Sequence, residues 1–389
     1  MEIYLDNSAT TKVDNEVLEE MIAYLKENYG NPSSAYRLGR ENRKQVEEAR
    51  KRVAKALNAK ENEIYFTSGG TESDNTALKG IAYANATKGR HIITSKIEHP
   101  AILESCKELE RQGYRISYVN VDSKGRVNLR ELESLIRRDT ILISVMFANN
   151  EIGTIEPIKE IGEIAKKYRI PFHTDAVQAV GNTKIDVQEL GIDLLALSSH
   201  KIYGPKGVGA LYVREGINFR SFINGGHQEK GKRAGTENVP GIIGLGKAIS
   251  IACNNNIEEK NNRIRNLRNY FIDEIMKNIP NVIINGDLEN RLPGNINISI
   301  QGVNGINVLK ELDEKEIYVS TGSACSTGNV APSNVLTSIG LSNMMAYSTI
   351  RITLGKYNTK EEVDYTVKEL KEIVTKLRYP TYYKGLKLN

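Results

Sequence analysis

The run Leu194-Leu195-Ala196-Leu197 is apolar throughout and stops abruptly at Ser198-Ser199-His200-Lys201. A short apolar run bounded by Gly204-Pro205 reads as a buried strand, with the residues after it at the edge of a sheet. The pattern repeats at Ile64–Thr67, Ile92–Thr94, Ile116–Val119, Ile141–Met146, Ile170–Asp175 and Gly209–Val213. Short apolar runs alternating with amphipathic segments imply an α/β fold with a mostly parallel sheet flanked by helices. Such sheets bind ligands at the rim beyond their strand ends.

Three strand ends deliver chemistry to that rim. One brings Lys201, a second Asp175 with Gln178 one turn later, and a third Asn149-Asn150-Glu151. A lysine that can form a Schiff base and a carboxylate that can pair with a pyridinium nitrogen suggest a pyridoxal phosphate (PLP) site. Phe66-Thr67-Ser68-Gly69-Gly70-Thr71 supplies a cradle for the phosphate. Its glycines admit close backbone N–H groups, Thr71 adds a hydroxyl, and a helix starting there aims its positive end at the dianion.

Gly-Gly-Thr-Glu-Ser-Asp-Asn from Gly69, His-Thr-Asp-Ala-Val-Gln from His173, Ser-Ser-His-Lys-Ile-Tyr-Gly-Pro-Lys-Gly from Ser198 and Arg-Ala-Gly-Thr-Glu-Asn from Arg233 occur in that order. Together they resemble the motifs of cysteine desulfurases, PLP enzymes of aminotransferase class V. The resemblance runs from Tyr4-Leu5-Asp6-Asn7-Ser8-Ala9-Thr10-Thr11 to Arg351. It implies the fold type I architecture of PLP-dependent transferases, with a smaller α/β C-terminal domain.

The same resemblance implies roles. Lys201 carries the internal aldimine and moves the substrate α-proton, while Asp175 keeps the ring nitrogen protonated. Gly70, Thr71, Ser198 and His200 hold the phosphate, together with Thr236 reaching across a homodimer interface. Asn150 and Gln178 flank the ring edge. Arg351 clamps the carboxylate of L-cysteine, a task suited to a planar bidentate cation. For His99, the residues alone leave capping of the next helix and stacking on the ring open; the resemblance favours stacking. One departure stands out: Gly225-Gly226-His227 replaces a triple glycine, and His227 is read as a loop variation.

The three cysteines separate by context. Cys106 shares helical spacing with Ile102 and Leu109, and Cys253 with Leu245 and Ile249, so both read as small core residues. Cys325 lies instead in Ser320-Thr321-Gly322-Ser323-Ala324-Cys325-Ser326-Thr327-Gly328, without large apolar neighbours. This stretch resembles the persulfide-forming segment of the NifS and IscS types. That resemblance makes Cys325 the nucleophile, whose proton goes to His99 or to the substrate–cofactor adduct, and implies an acceptor protein serving iron–sulfur assembly or tRNA or cofactor thiolation.

Bulk properties exclude other classes. Net charge is +5, from 53 basic and 48 acidic residues interleaved along the chain, so no basic tract marks a nucleic-acid or lipid surface. No apolar run approaches membrane-spanning length, and the first residues lack the regions of a signal peptide. Three cysteines without framework or zinc-type spacing fit a reducing cytoplasm and no metal site.

The expected organisation is an N-terminal segment (1–14) packing near the small domain, a large PLP-binding domain (15–256) and a small C-terminal domain (257–389). Helices are expected from about Asn15 to Glu27, Glu41 to Leu57, Ile257 to Lys277, Val308 to Leu312 and Lys360 to Leu377. Strands are expected at Val282–Ile284, Ile296–Ile300 and Ile350–Thr353, and the glycine-rich stretch 225–231 is expected to be irregular.

Overall fold

The computed structural model describes residues 2–254, 256–321 and 331–379. Its strands are β1 (Ile3–Tyr4), β2 (Ile64–Thr67), β3 (His91–Ser95), β4 (Arg115–Val119), β5 (Thr140–Ser144), β6 (Phe172–Asp175), β7 (Leu194–Ser198), β8 (Gly209–Val213), β9 (Val282–Ile284), β10 (Asn295–Ile300), β11 (Ile317–Tyr318) and β12 (Thr349–Thr353).

Seven of them form one sheet in the order β2-β8-β7-β6-β5-β3-β4. Every residue of β3, β5, β7 and β8 is buried, as continuous apolar strands covered on both faces require. The pairs β7-β6, β6-β5, β5-β3 and β3-β4 are parallel, whereas β8 runs antiparallel to both β7 and β2. Two reversals return β2 to the direction of β7. The C-terminal ends of β2, β3, β5, β6 and β7 therefore open on one rim, the one that receives Gly70, His99, Asn150, Asp175 and Lys201.

Helices cover the sheet through the faces their periodicity predicts. The helix Arg37–Leu57 buries Val46, Ala49, Val53 and Leu57 and packs on the helix Val239–Ala252, as does Asn15–Lys26. It begins four residues before the expected Glu41. That first turn carries a single large apolar side chain, Leu38, and an Arg37–Glu41 ion pair at 3.0 Å, so no apolar period marks it.

A second, antiparallel sheet has the order β12-β10-β9, and β1 pairs in parallel with β11. Ile3, Leu5, Phe271, Ile296, Ile298, Ile350, Ile352 and Leu370 share one buried core there. Burying each such side chain contributes about 1.5–3 kcal/mol. The strands and the helices Ile257–Asn278, Gly305–Asp313 and Lys360–Arg378 lie where the apolar pattern puts them. The two-residue β11 and the helices Leu129–Ser134, Asn334–Ser338 and Asn343–Tyr347 are too short to carry a period, and the sequence did not disclose them.

The N-terminal segment then crosses to the rim. Thr353 N donates to Leu5 O at 2.6 Å, Asn7 Nδ2 to Thr353 O at 2.8 Å, and Thr11 N to His200 O at 2.9 Å. Within 225–231 the chain turns at Gln228–Gly231, where Glu229 and Lys230 leave helical geometry with left-handed φ values of 46° and 59°. Among the described residues, no helix is long and apolar enough to cross a membrane.

Candidate active site

The phosphate end is built by β2 and the helix Gly70–Ala84. Gly69 caps that helix at φ 151°, a value that favours glycine, and provides no side-chain hydrogen bond. The first-turn N–H groups of Gly70 and Thr71 are thus left without a side-chain acceptor at the positive end of the helix. Gly209 lets the turn settle on β8, since a Cβ there would lie 2.5 Å from Leu197 O and 2.8 Å from Gly69 Cα. Ser198 Oγ comes within 3.7 Å of the position a Gly69 Cβ would take.

The ring end is built by β6 and the turns after β3 and β7. Asp175 is buried, and its carboxylate accepts the Val177 N–H at 2.9 Å. Burial pushes this carboxyl up, and His99 and Lys201 pull it back, so the three groups act on one another. Lys201 ends a short turn, Ser199–Lys201; its Nζ donates to the Ser8 carbonyl and, at 2.7 Å, to the Ala9 carbonyl. It also lines a cavity of about 40 Å³ with Asn7, Ser8, Gln178 and Tyr203.

His99 answers the capping alternative directly. Its Nδ1 accepts the Ala101 N–H at 3.1 Å at the start of the helix Pro100–Arg111. Burial and then the charge of Lys201 lower its pKa against the pull of Asp175, so the ring is neutral at pH 7. With Nδ1 engaged, its proton sits on Nε2. The half-buried ring therefore presents an aromatic face and a donor, which argues against it as the base for the thiol.

His200 is neutral too, pushed down to about 4 by burial and by Lys201 and Lys206, with Nδ1 at 3.1 Å from Thr10 Oγ1. Gln178 is buried and its Nε2 donates to Ser8 O at 3.0 Å. Asn150 lends its backbone: its carbonyl accepts from Arg351 Nη1 at 3.1 Å. Arg351 is 6% exposed on β12, and its Nη2 donates to Asp6 Oδ1 at 2.8 Å.

Thr236 stands apart from this group, exposed on the segment before the helix Val239–Ala252. His227 is exposed at φ −91°, an ordinary conformation that gives the replaced glycine no strain. Cys106 is fully buried, whereas Cys253 lies at the C-cap of its helix, half-buried against the core.

Cys325 lies outside the described residues, but both flanks of 322–330 are tied to the site. Ser320 N donates to Arg351 O at 3.0 Å, and Arg351 N to Ser320 O at 2.7 Å. On the other side Ser333 Oγ donates to Glu151 Oε2 at 2.5 Å, one residue from Asn150.

Sequence reasoning missed several supports. Asp6 and the carbonyls of Ser8 and Ala9 lie within Tyr4–Thr11, a stretch that carried resemblance but no assigned role. Asn149, fully buried, holds the turn that presents Asn150 by accepting from Glu151 N and Ile152 N and donating to Ile97 O. Its place in an amide-rich turn was the available signal.

These residues fit PLP. The uncapped amides and Ser198 suit a phosphate, the buried Asp175 lacks only the cation that a protonated ring nitrogen would supply, and Lys201 is within the charge range of both Asp175 and His99. The family model described as Aminotransferase class-V matches residues 3–366.

The chain belongs to the class-V aminotransferase family.

Within that PLP-dependent family it stands with the cysteine desulfurases. It is 54% identical over 383 residues to the cysteine desulfurase IscS of Dictyoglomus turgidum, covering 98% of this chain and 97% of that one. A solved structure described as a NifS-like protein superposes with a TM-score of 0.91 at 42% identity, covering 96% of this chain and all (100%) of that one. Another, described as SspA in complex with cysteine, gives a TM-score of 0.81 at 36% identity over 92% of this chain and 100% of the other. The family's fold type I architecture is the one described above.

Proposed function

We propose that this family member converts L-cysteine and the Cys325 thiol to L-alanine and a Cys325 persulfide. One observation carries the reading. Arg351, suited to a carboxylate, is paired backbone to backbone with Ser320, just before the chain enters 322–330, and Ser333, just after that segment, is tied to Glu151 beside Asn150. Substrate clamp and both flanks of the nucleophile segment thus meet the rim that holds Lys201 and Asp175.

When bound, PLP supplies an electron sink beside the substrate Cα. Gly70, Thr71, Ser198 and His200 hold its phosphate, and Asp175 keeps a proton on its ring nitrogen. His99 covers the ring and offers its Nε2–H, while Asn150 and Gln178 bound its edge. Arg351 fixes the substrate carboxylate, and Lys201 Nζ takes the α-proton. The Cys325 thiolate then attacks the substrate sulfur. The Cβ–S bond breaks, an S–S bond forms, and the carbon fragment keeps the electron pair and gains the protons that make it alanine.

The reading extends to the assembly. Thr236, exposed in one subunit, completes the partner's phosphate site in a homodimer. Residues 15–256 form the cofactor domain, 257–389 a smaller domain that carries Arg351 and Cys325, and 1–14 the segment bridging them. The persulfide passes to an iron–sulfur scaffold protein, or to tRNA or cofactor thiolation, in the cytoplasm.

The test is a mass measurement on the Cys325 peptide after incubation with L-cysteine without reductant and capping of thiols. The peptide gains one sulfur atom as alanine appears. Alanine without that sulfur would remove Cys325 from the reaction and leave transamination or another PLP chemistry of this fold.

A further inference from the structure

Beneath the site lie two ionisable side chains to which the reaction above gives no part. Asp74 stands one turn into the helix Gly70–Ala84, and His173 lies two residues before Asp175 on β6. They are 1% and 0% exposed. Asp74 Oδ1 and His173 Nε2 face each other at 3.6 Å, and neither atom has a hydrogen-bond partner. The other ring nitrogen, Nδ1, is 2.9 Å from Ser144 Oγ on β5.

Two orphaned buried polar atoms aimed at each other are costly unless they share a proton. The proton has two possible homes. On His173 it makes a buried ion pair; on Asp74 it makes two neutral groups. The surroundings choose between them. Burial works first against a charged Asp74, and Asp175 on β6 sets negative charge against it. Burial alone pushes His173 down to about 3. Burial raises the Asp175 carboxyl, and the charge of Lys201 lowers it.

We propose that Asp74 and His173 form an uncharged positioning pair, in which the Asp74 carboxyl donates to His173 Nε2 and His173 Nδ1–H donates to Ser144 Oγ. The consequence follows from where the two residues sit. The helix that carries Asp74 also carries Gly70 and Thr71, and side chains two apart on a strand share a face, so His173 lies on the face of Asp175. The pair ties the phosphate end of the cradle to the strand of the ring-nitrogen carboxylate. It adds neither an anion to raise the Asp175 pKa nor a cation to compete with the ring nitrogen. The inference rests on the reading of Asp175 as the partner of that nitrogen.

The test is the ¹⁵N spectrum of histidine-labelled holoenzyme. With only five histidines in the chain, the His173 signals are found by their loss in His173→Gln or by subtracting variants of the other four. The expected result is a neutral ring with its proton on Nδ1 from about pH 5 to 8. A second readout is the pH midpoint of the visible PLP band. Asp74→Asn, which can still donate to Nε2, should leave it within roughly 0.3 unit of wild type, and Asp74→Ala should move it by about one unit or more. A doubly protonated His173, or an Asp74→Asn midpoint displaced as far as that of Asp74→Ala, would overturn the uncharged pair. Absence of a visible PLP band in the wild type would instead overturn the site reading, without touching the histidine tautomer.

Discussion

Arg351 Nη2 donates to Asp6 Oδ1 at 2.8 Å across 345 positions of sequence. The other terminal nitrogen, Nη1, donates to the Asn150 carbonyl, so the N-terminal segment and the turn after β5 aim the guanidinium together. A planar cation held this way can offer paired N–H groups to a carboxylate. Arg351→Lys should raise KM for L-cysteine about tenfold or more while kcat changes by less than about threefold, because a point charge replaces a fork. Asp6→Ala should raise KM in the same direction by a smaller factor. Steady-state kinetics with an unchanged KM in both variants would contradict the assignment.

Lys201 carries the α-proton, and its Nζ lies within hydrogen-bond reach of the carbonyls of Ser8 and Ala9. Lys201→Ala should bind PLP reversibly, show a visible band different from the wild type, and form alanine more slowly by a factor of about 10²–10⁴. Retention of most of the alanine-forming rate would place the α-proton on another group.

Much of this site could be read from the chain, and the reason is local. Lys201, Asp175 and Gly70 each follow directly from a short apolar run that had to be a buried strand, and parallel pairing then brings those strand ends together. The Arg351–Asp6 and Asp74–His173 contacts could not be read so, because nothing in the spacing of two residues records a meeting made by separate elements. The same holds for β11 and the five-residue helices Asn334–Ser338 and Asn343–Tyr347, shorter than the period that would reveal them. His99 shows an intermediate case: both roles offered by its sequence context concern different atoms of one ring, and Nδ1 takes the cap.

Glu98 makes a pH prediction. It is buried, and burial pushes its carboxyl up from 4.5 to about 8, although Oε1 accepts from Ser95 Oγ and Met146 N. Between those two values the folded protein holds a proton that the unfolded chain releases, so this group's contribution is full below about 4.5 and is lost as pH rises to about 8. Glu98→Gln keeps the shape and the Oε1 acceptor without the titration. Urea unfolding should show wild type losing stability relative to Glu98→Gln across that window, by roughly 5 kcal/mol. Parallel pH profiles would contradict a protonated Glu98.

Arg50 and Glu229 form a buried two-pronged pair, with Nη1–Oε2 at 2.7 Å and Nη2–Oε1 at 2.8 Å, and Glu229 Oε2 also accepts the Phe66 N–H. This pair pins the turn Gln228–Gly231 beneath β2. Glu229→Ala should lower unfolding free energy by about 3 kcal/mol, because buried Arg50 keeps only the half-exposed Glu47 as a partner and the Phe66 N–H loses its acceptor. Replacing both partners with apolar residues of similar volume should recover most of the loss. A single variant as stable as wild type would show that the turn is held by other contacts.

The central claim is that sulfur leaves L-cysteine through Cys325. The most direct measurement is sulfide and alanine release from L-cysteine in the presence of a reductant, comparing wild type with Cys325→Ala while following the visible PLP band. The account predicts equimolar sulfide and alanine from wild type, and from the variant a spectral change on adding L-cysteine with little sulfide. Equal sulfide release by both proteins would contradict it.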